Sequence, residues 1–84
     1  MFKATVYVTL KESVLDPQGK TVKDSLHALG YTRVRDARIG KRIELWLEGS
    51  DRSEAEQQVR EMAEKLLANP VIENFTVELE EVQE

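Results

Sequence analysis

The chain has 84 residues, of which 40% are hydrophobic and 33% are charged, with 16 acidic against 12 basic side chains and no cysteine. This length predicts one small domain with a marginal core, which association with another subunit would stabilise. The formal net charge of −4 argues against nucleic acid as a partner, because binding to the phosphate backbone requires a basic surface. The absence of cysteine excludes disulfides, thiolate zinc sites and a thiol nucleophile.

The first residues alternate polar and apolar side chains, and no run in the sequence approaches the ~18 apolar residues of a membrane span. We therefore expect no signal peptide, no membrane partner and a cytoplasmic location.

Residues 2–11 have an apolar period of two, which predicts a strand with one buried face. Asp16 and Pro17 predict the start of a helix, because Asp16 can cap the free N–H groups and proline fits the first helical position. Gly30 is the residue best able to end that helix in a left-handed cap. The helix carries a single apolar stripe formed by Val22, Leu26 and Leu29.

Residues 32–39 alternate less regularly, with a break near Asp36 and Ala37 that predicts a bulged edge strand. Gly40 and Lys41 form a short connection to residues 42–48, and the two runs together predict a hairpin. The strict alternation of the second run directs Ile43, Leu45 and Leu47 to the core and Trp46 to the other face.

Ser53 and Glu56 match a capping box, which predicts that a second helix begins at Ser53. The helix should end near Asn69 and Pro70, because proline disfavours helical geometry in the preceding residue. Residues 75–79 alternate again and predict the last strand. The sequence thus divides into a single domain of residues 1–80 and an acidic C-terminal tail of residues 81–84.

The predicted element order is strand, helix, strand, strand, helix, strand. The economical packing for one apolar face per strand and one stripe per helix is an α+β two-layer sandwich, with a four-stranded, mainly antiparallel sheet and both helices on one face.

Catalytic chemistry has no candidate constellation in this sequence. His27 is the only histidine and lies on the polar side of the first helix without a predicted nucleophile or carboxylate partner. The segment Gln18-Gly19-Lys20 at a helix start matches no phosphate-loop fingerprint. No loop offers the several converging oxygen ligands that a hard metal ion requires. We therefore predict no catalytic, cofactor-binding or metal-binding residues.

Two large aromatic side chains are directed away from the predicted core. In the predicted sandwich the first and third strands are neighbours, so we expect Tyr7 and Trp46 to lie close together on the open sheet face, beside Thr5 and Thr9. Aromatic residues are enriched at protein interfaces. These four residues are therefore the predicted interface between copies of the chain.

Four segments in order carry a resemblance to a known family. They are residues 14–22, residues 29–31, residues 34–41 and residues 65–73. Together they resemble the PurS-type small subunit of phosphoribosylformylglycinamidine (FGAM) synthase, and the resemblance extends from about Lys3 to Glu80.

The resemblance implies a non-catalytic accessory subunit of an enzyme complex in de novo purine biosynthesis. In that family a glutaminase subunit releases ammonia from glutamine, and a large synthetase subunit uses ATP to amidate formylglycinamide ribonucleotide. The small subunit joins the two, assists ammonia transfer and is itself a homodimer or larger. It has no cofactor of its own, since ATP and glutamine are used by the partner subunits.

On this reading the loops at residues 12–20 and 38–42 contact the partner subunits. The predicted contact residues are Gln18, Lys20, Arg38 and Lys41. The alternative function is a stand-alone dimeric regulatory module that binds a small metabolite.

Overall fold

The computed structural model describes residues 1–83, and Glu84, the end of the predicted acidic tail, lies outside the described residues. The elements in chain order are β1 (Phe2–Leu10), α1 (Pro17–Ala28), β2 (Lys41–Leu47), α2 (Arg52–Met62), a π-helical turn (Ala63–Leu67) and β3 (Glu73–Glu81). The three strands form one antiparallel sheet in the order β2-β1-β3. The α+β class is confirmed.

The predicted four-stranded sheet is wrong, because residues 32–40 form no strand in the described part of the chain. The backbone of this segment bonds to side chains around α1 instead. The Val34 carbonyl accepts from His27 Nε2 at 2.6 Å, and the Ile39 N–H donates to the Asp16 carboxylate at 2.8 Å. The predicted hairpin is therefore also wrong, and β2 pairs with β1.

The core lies between the sheet and α2. Its fully buried larger side chains are Phe2, Val6, Val8 and Val59. Alternation along β1 places Phe2, Val6 and Val8 on one face, and α2 packs on β1 and β3 across that face. The apolar side chains that β2 and β3 contribute remain only partly buried.

Helix α1 begins and ends as predicted. The Asp16 carboxylate accepts from the Gly19 N–H at 2.9 Å, and Gly30 after the helix has φ of +101°. The position of α1 differs from the prediction, because within residues 1–83 only α2 packs extensively on the sheet. The chain is elongated, 50 × 29 × 15 Å. The two ends of the stripe of α1 are consequently exposed, Val22 by 38% and Leu29 by 73%, while Leu26 between them is half-buried.

The start of α2 differs from the prediction, whereas its end agrees with it. Its N-cap is Asp51, whose carboxylate accepts from the Glu54 N–H at 3.2 Å, so the predicted capping box at Ser53 is not the start of the helix. At the other end, the Ala68 N–H donates to the Ala63 carbonyl at 2.8 Å and closes the π-helical turn. Ala68 is extended, so the helical segment ends just before the predicted Asn69-Pro70 stop.

Strand β3 continues to Glu81, and the Val82 N–H donates to the Met1 carbonyl at 2.9 Å. The division at residue 80 between domain and tail stays a prediction.

Gly19 gives a stability prediction for the contact between α1 and residues 32–39. A Cβ at this position would collide with the Ala37 carbonyl oxygen. Helix propensity alone favours alanine over glycine by about 1 kcal/mol, but overpacking typically costs about 1–3 kcal/mol. We expect Gly19→Ala to lower the free energy of unfolding, measured by urea denaturation.

The matched control is Ser25→Ala on the exposed side of the same helix, which should change the free energy of unfolding by less than about 0.5 kcal/mol. A Gly19→Ala variant as stable as the wild type would contradict the close approach of Ala37 to α1.

Candidate interaction site

The two aromatic residues of the predicted interface, Tyr7 and Trp46, lie apart on the open face of the sheet. In the register of β1 with β2, Trp46 lies opposite Lys3 and Tyr7 lies opposite Arg42. Lys3 and Tyr7 are four positions apart along β1, which corresponds to roughly 13 Å at the rise of a strand. The expectation that Tyr7 and Trp46 are close neighbours is therefore wrong, although both lie on this face.

Charged side chains occupy the surface between the aromatic residues. Lys3 Nζ lies 3.1 Å from Glu44 Oε2 and 5.7 Å from the centroid of the Trp46 ring. Arg42 Nη1 lies 3.2 Å from Glu44 Oε1. The hydrogen bond from Lys3, then the positive charges of Lys3 and Arg42, lower the pKa of Glu44. This part of the open face is thus occupied by ion pairs among Lys3, Glu44 and Arg42. A protein that bound here would have to remove water from these charged groups.

The four predicted interface residues are therefore not equally available for contact. Trp46 is 59% exposed, whereas Thr5 is only 7% exposed. The Tyr7 hydroxyl donates to Glu78 Oε2 at 3.4 Å. Thr9 is exposed near the end of β1. Their role as an interface between copies stays a prediction, with Trp46 as the main available contact.

A second site is formed where the loop after β1 meets residues 36–39. The Arg38 guanidinium donates to three backbone carbonyls of that loop, with Nη1 3.2 Å from the Lys11 oxygen and 3.3 Å from the Val14 oxygen, and Nη2 2.8 Å from the Glu12 oxygen. Asp16 connects the same two segments through its bonds from Gly19 and Ile39. We call Arg38 and Asp16 with these bonds the loop clamp.

Backbone hydrogen bonds dominate the electrostatics of the loop clamp. The Ile39 N–H, followed by the Gly19 N–H, lowers the pKa of Asp16, since both donate to its charged form. Sequence reasoning identified Asp16 as a helix cap but missed its second bond, to the residue 23 positions later.

The other predicted contact residues have different surroundings. Lys41 Nζ donates to the Leu67 carbonyl at 3.1 Å and caps the π-helical turn. Lys20 Nζ pairs with the Asp24 carboxylate at 3.0 Å. Gln18 is exposed on the first turn of α1. Arg38 and Lys41 thus hold their own backbone, and contact of any of the four with a partner stays a prediction.

The most exposed apolar side chains were not among the predicted site residues. Leu15 is 79% exposed beside the loop clamp, and Leu66 and Val71 are 82% and 77% exposed at the end of the second helical segment. Leu15 borders a groove of about 410 Å³ that Lys20, Lys23 and Arg38 also line. The only signal in the sequence was an apolar residue in a loop without periodicity.

The described residues contain no group of three or more histidine, cysteine or carboxylate side chains placed to hold a metal ion. His27, the one histidine of the sequence, is bonded to the Val34 carbonyl. Among residues 1–83, no helix combines the length and apolar character needed to cross a bilayer.

Known proteins resemble this chain over almost its whole length. The family model PurS, "Phosphoribosylformylglycinamidine (FGAM) synthase", matches residues 3–81. The phosphoribosylformylglycinamidine synthase subunit PurS of Bacillus subtilis (strain 168) is 57% identical over 82 residues, 98% of this chain and 96% of that protein.

Two solved structures extend the comparison to the fold. Methanocaldococcus jannaschii PurS, one of the subunits of formylglycinamide ribonucleotide amidotransferase in the purine biosynthetic pathway, aligns with a TM-score of 0.88 at 37% identity, covering 99% of this chain and 100% of that one. A chain of the PurLQS structure from Thermotoga maritima aligns with a TM-score of 0.85 at 33% identity, covering 94% of this chain and 96% of that one.

A small α+β domain whose prominent surface features are exposed apolar and aromatic side chains is typical of a protein that associates with other proteins. The similarity to known proteins identifies the family within this class. The chain belongs to the PurS family of phosphoribosylformylglycinamidine synthase.

The loop clamp predicts a pH dependence of stability. The folded-state pKa of Asp16 lies below its ordinary value of 3.8, so its carboxylate contributes stability above that pH and loses it as the pH falls through the folded-state pKa. Asp16→Asn should be less stable than the wild type at pH 7, and the difference should shrink below pH 3.8.

Urea denaturation of both proteins between pH 7 and pH 3 measures this difference. A stability difference that stays constant across this range would show that the charge of Asp16 does not strengthen the clamp.

Proposed function

We propose that this chain is the non-catalytic accessory subunit of an FGAM synthase complex in de novo purine biosynthesis. It bridges the glutaminase and synthetase subunits and assists the transfer of ammonia between them. The complex then converts formylglycinamide ribonucleotide to formylglycinamidine ribonucleotide with ATP and glutamine, both of which are used by the partner subunits.

The match to the PurS family over residues 3–81 is the observation that carries this proposal. The description of the Methanocaldococcus jannaschii relative as one of the amidotransferase subunits, and the PurLQS structure from Thermotoga maritima, support membership of a complex. The geometry agrees, because large apolar side chains, among them Leu15, Leu66 and the aromatic Trp46, are exposed on the surface of the chain.

A bridging subunit must hold its contact points at fixed positions while it touches two other proteins. The loop clamp provides this for the loop after β1, since three hydrogen bonds from Arg38 fix its backbone. Lys41 fixes the π-helical turn through the Leu67 carbonyl. Such preorganisation lowers the entropy lost on binding.

We also propose that the chain forms a homodimer. The apolar side chains of β2, Ile43, Leu45 and Leu47, are only partly buried, and the two ends of the stripe of α1, Val22 and Leu29, are exposed. A second copy that laid its stripe against such apolar surface would bury both. This surface and the open sheet face around Trp46 are the two candidate interfaces.

The bridging role predicts a dependence on the nitrogen donor. With purified glutaminase and synthetase subunits, we expect this chain to raise amidation strongly when glutamine is the donor and much less when free ammonia is the donor. The measurement is the rate of formation of formylglycinamidine ribonucleotide with and without the chain.

Equal stimulation with both donors would contradict a role in ammonia transfer but leave a role in assembly. No response with either donor would contradict the bridging proposal and favour the metabolite-binding regulatory module. A thermal shift screen against amino acids and nucleotides would then test that alternative, because a ligand at one hundred times its Kd stabilises a protein by about 2.7 kcal/mol.

The homodimer proposal predicts different effects of two charged substitutions. Val22→Glu places a carboxylate in the stripe of α1, and we expect it to yield a monomer by light scattering, because burial of an unpaired charge is costly. Trp46→Glu tests the open sheet face in the same way. Thr21→Glu, one residue from Val22 but about 100° around the helix, is the control and should leave the mass unchanged.

Loss of the dimer in Trp46→Glu alone would assign the interface to the open sheet face. A dimer retained in both variants would contradict both candidate interfaces.

A further inference from the structure

The two edge strands of the sheet differ in how their outer backbone is protected. At the edge of β3, the Arg52 guanidinium donates to the Leu79 carbonyl at 2.6 Å, so a side chain of the same protein occupies part of that edge. Within residues 1–83, no side chain bonds to the backbone of β2. An unprotected edge is a template for pairing with a strand of another chain.

The hydrogen bonds at the two ends of β1 show which backbone groups of β2 face outward. The Lys11 N–H donates to the Ile72 carbonyl, and the Val82 N–H donates to the Met1 carbonyl, so the odd-numbered residues of β1 bond to the β3 side. Bonded and non-bonded pairs alternate along an antiparallel ladder, so the even-numbered residues of β1 bond to odd-numbered partners in β2. The outer edge of β2 is left with the N–H and C=O groups of Arg42, Glu44 and Trp46.

This edge is complementary to that of a second copy when the two β2 strands run antiparallel with Ile43 opposite Ile43. Arg42 then lies opposite Glu44 of the second copy, and Glu44 lies opposite its Arg42. Cross-strand pairs of opposite charge stabilise a sheet, whereas like charges directly opposite each other destabilise it. A shift of two residues in either direction would place Arg42 opposite Arg42 or Glu44 opposite Glu44. The charges therefore select one register.

The ion pairs within each copy leave donors for this contact. Glu44 is bonded to Lys3 and to Nη1 of Arg42 in its own chain. A guanidinium group has five N–H donors, so Arg42 can also reach the carboxylate of the second copy.

The remaining pairs of this register bring no like charges together. Trp46 is 59% exposed and lies opposite Gly40, which still runs beside β1 and has no side chain, so the indole ring can cover the glycine backbone. Lys41 lies opposite Leu45, and its ammonium group is already bonded within its own chain. Ile43 and Leu45, which are only partly buried, gain neighbours on the inner face of the sheet.

We propose that two copies of this chain join by antiparallel pairing of the outer edges of β2, with Arg42 of each copy opposite Glu44 of the other. The pairing makes one continuous sheet out of two three-stranded sheets and is two-fold symmetric, so it closes at two copies. It uses the backbone edge and leaves the inner-face side chains of β2 to the stripe of α1 in the same dimer. The inference rests on the proposed homodimer and adds the strand and the register of the contact.

The experiment compares two charge-reversed variants of the full chain, alone and mixed, by light scattering. Arg42→Glu would face Glu44 of a second copy, and Glu44→Arg would face Arg42. We expect each variant alone to weaken the dimer at least ~10-fold, because like charges then lie opposite each other. An equimolar mixture places opposite charges at both positions, and we expect it to form a heterodimer. Since each chain carries the same internal changes alone and in the mixture, such rescue reports the contact between copies.

Glu80→Arg is the matched control. Glu80 lies opposite Lys3 in the pairing of β1 with β3, so its reversal also brings an arginine beside Lys3, but at the opposite edge of the sheet. It should change the affinity of the dimer less than about twofold.

Glu44→Pro tests the backbone bonds of the pairing. The Glu44 N–H faces away from β1, and proline on the outer side of an edge strand removes no hydrogen bond of the sheet. We expect Glu44→Pro to keep the circular dichroism spectrum of the folded chain and to weaken the dimer at least ~10-fold. Glu44→Gln keeps the N–H donor and should weaken the dimer less.

Three outcomes would overturn the inference while the wild-type chain is a dimer. The first is that both charge reversals alone remain dimers of wild-type affinity. The second is that the two folded variants form no heterodimer when they are mixed. The third is a dimer that persists in Glu44→Pro, which would leave the edge of β2 free for a strand of a different protein. A wild-type chain that is monomeric at every concentration would instead contradict the proposed homodimer itself.

Discussion

A single carboxylate, that of Asp16, joins the start of α1 to the segment that leads into β2. One oxygen accepts from the Gly19 N–H and sets the start of α1, while the other accepts from the Ile39 N–H. Residues 36–39 are thereby held against the beginning of the helix, where Arg38 reaches the carbonyls of the loop after β1. The Ile39 N–H is committed to this carboxylate and the Val34 carbonyl to His27, so neither group pairs with a neighbouring strand, and the sheet has three strands.

The same arrangement explains why apolar side chains of α1 and β2 are left exposed or only partly buried. Residues 32–40 bond to α1, and the helix packs little on the sheet, with Val22 and Leu29 of its stripe exposed. Within residues 1–83, α2 and the π-helical turn cover the inner face, and the apolar residues of β2 remain partly buried. A domain of this size has little stability to spare. Association is thus the natural way to complete both surfaces, which agrees with a protein whose relatives include a chain of a multisubunit structure.

Local signals in the sequence predicted most of the secondary structure. Strict alternation identified β1 and β2, and the Asp16-Pro17 and Gly30 signals placed both ends of α1. Residues 32–39 could not be predicted in this way, because their partners Asp16 and His27 are remote in sequence and periodicity contains no information about them. The start of α2 was misplaced because Asp51 and Ser53 are both good caps, and the choice depends on which carboxylate or hydroxyl reaches a free N–H.

The residues of the candidate site were also only partly predictable from the sequence. The sequence predicts exposed polar residues of two loops as partner contacts, yet Arg38 and Lys41 use their donors on carbonyls of their own chain. Leu15 was missed, since a lone leucine in a loop has no periodic pattern to mark it. Long-range hydrogen bonds decide which polar residues support the backbone and which remain free for a partner. These hydrogen bonds are visible only in the tertiary structure.

A dimer built on the stripe of α1 would be two-fold symmetric, so it would present two copies of every surface that the dimer contact leaves open, including the sheet face around Trp46. If two such surfaces reached sites in one complex, the second contact would form at a high effective concentration, and the combined affinity would exceed that of a single surface. Dissociation of the dimer would therefore weaken attachment to the complex even though no residue in contact with a partner had changed. Incomplete burial within one chain would then favour binding of partners in pairs.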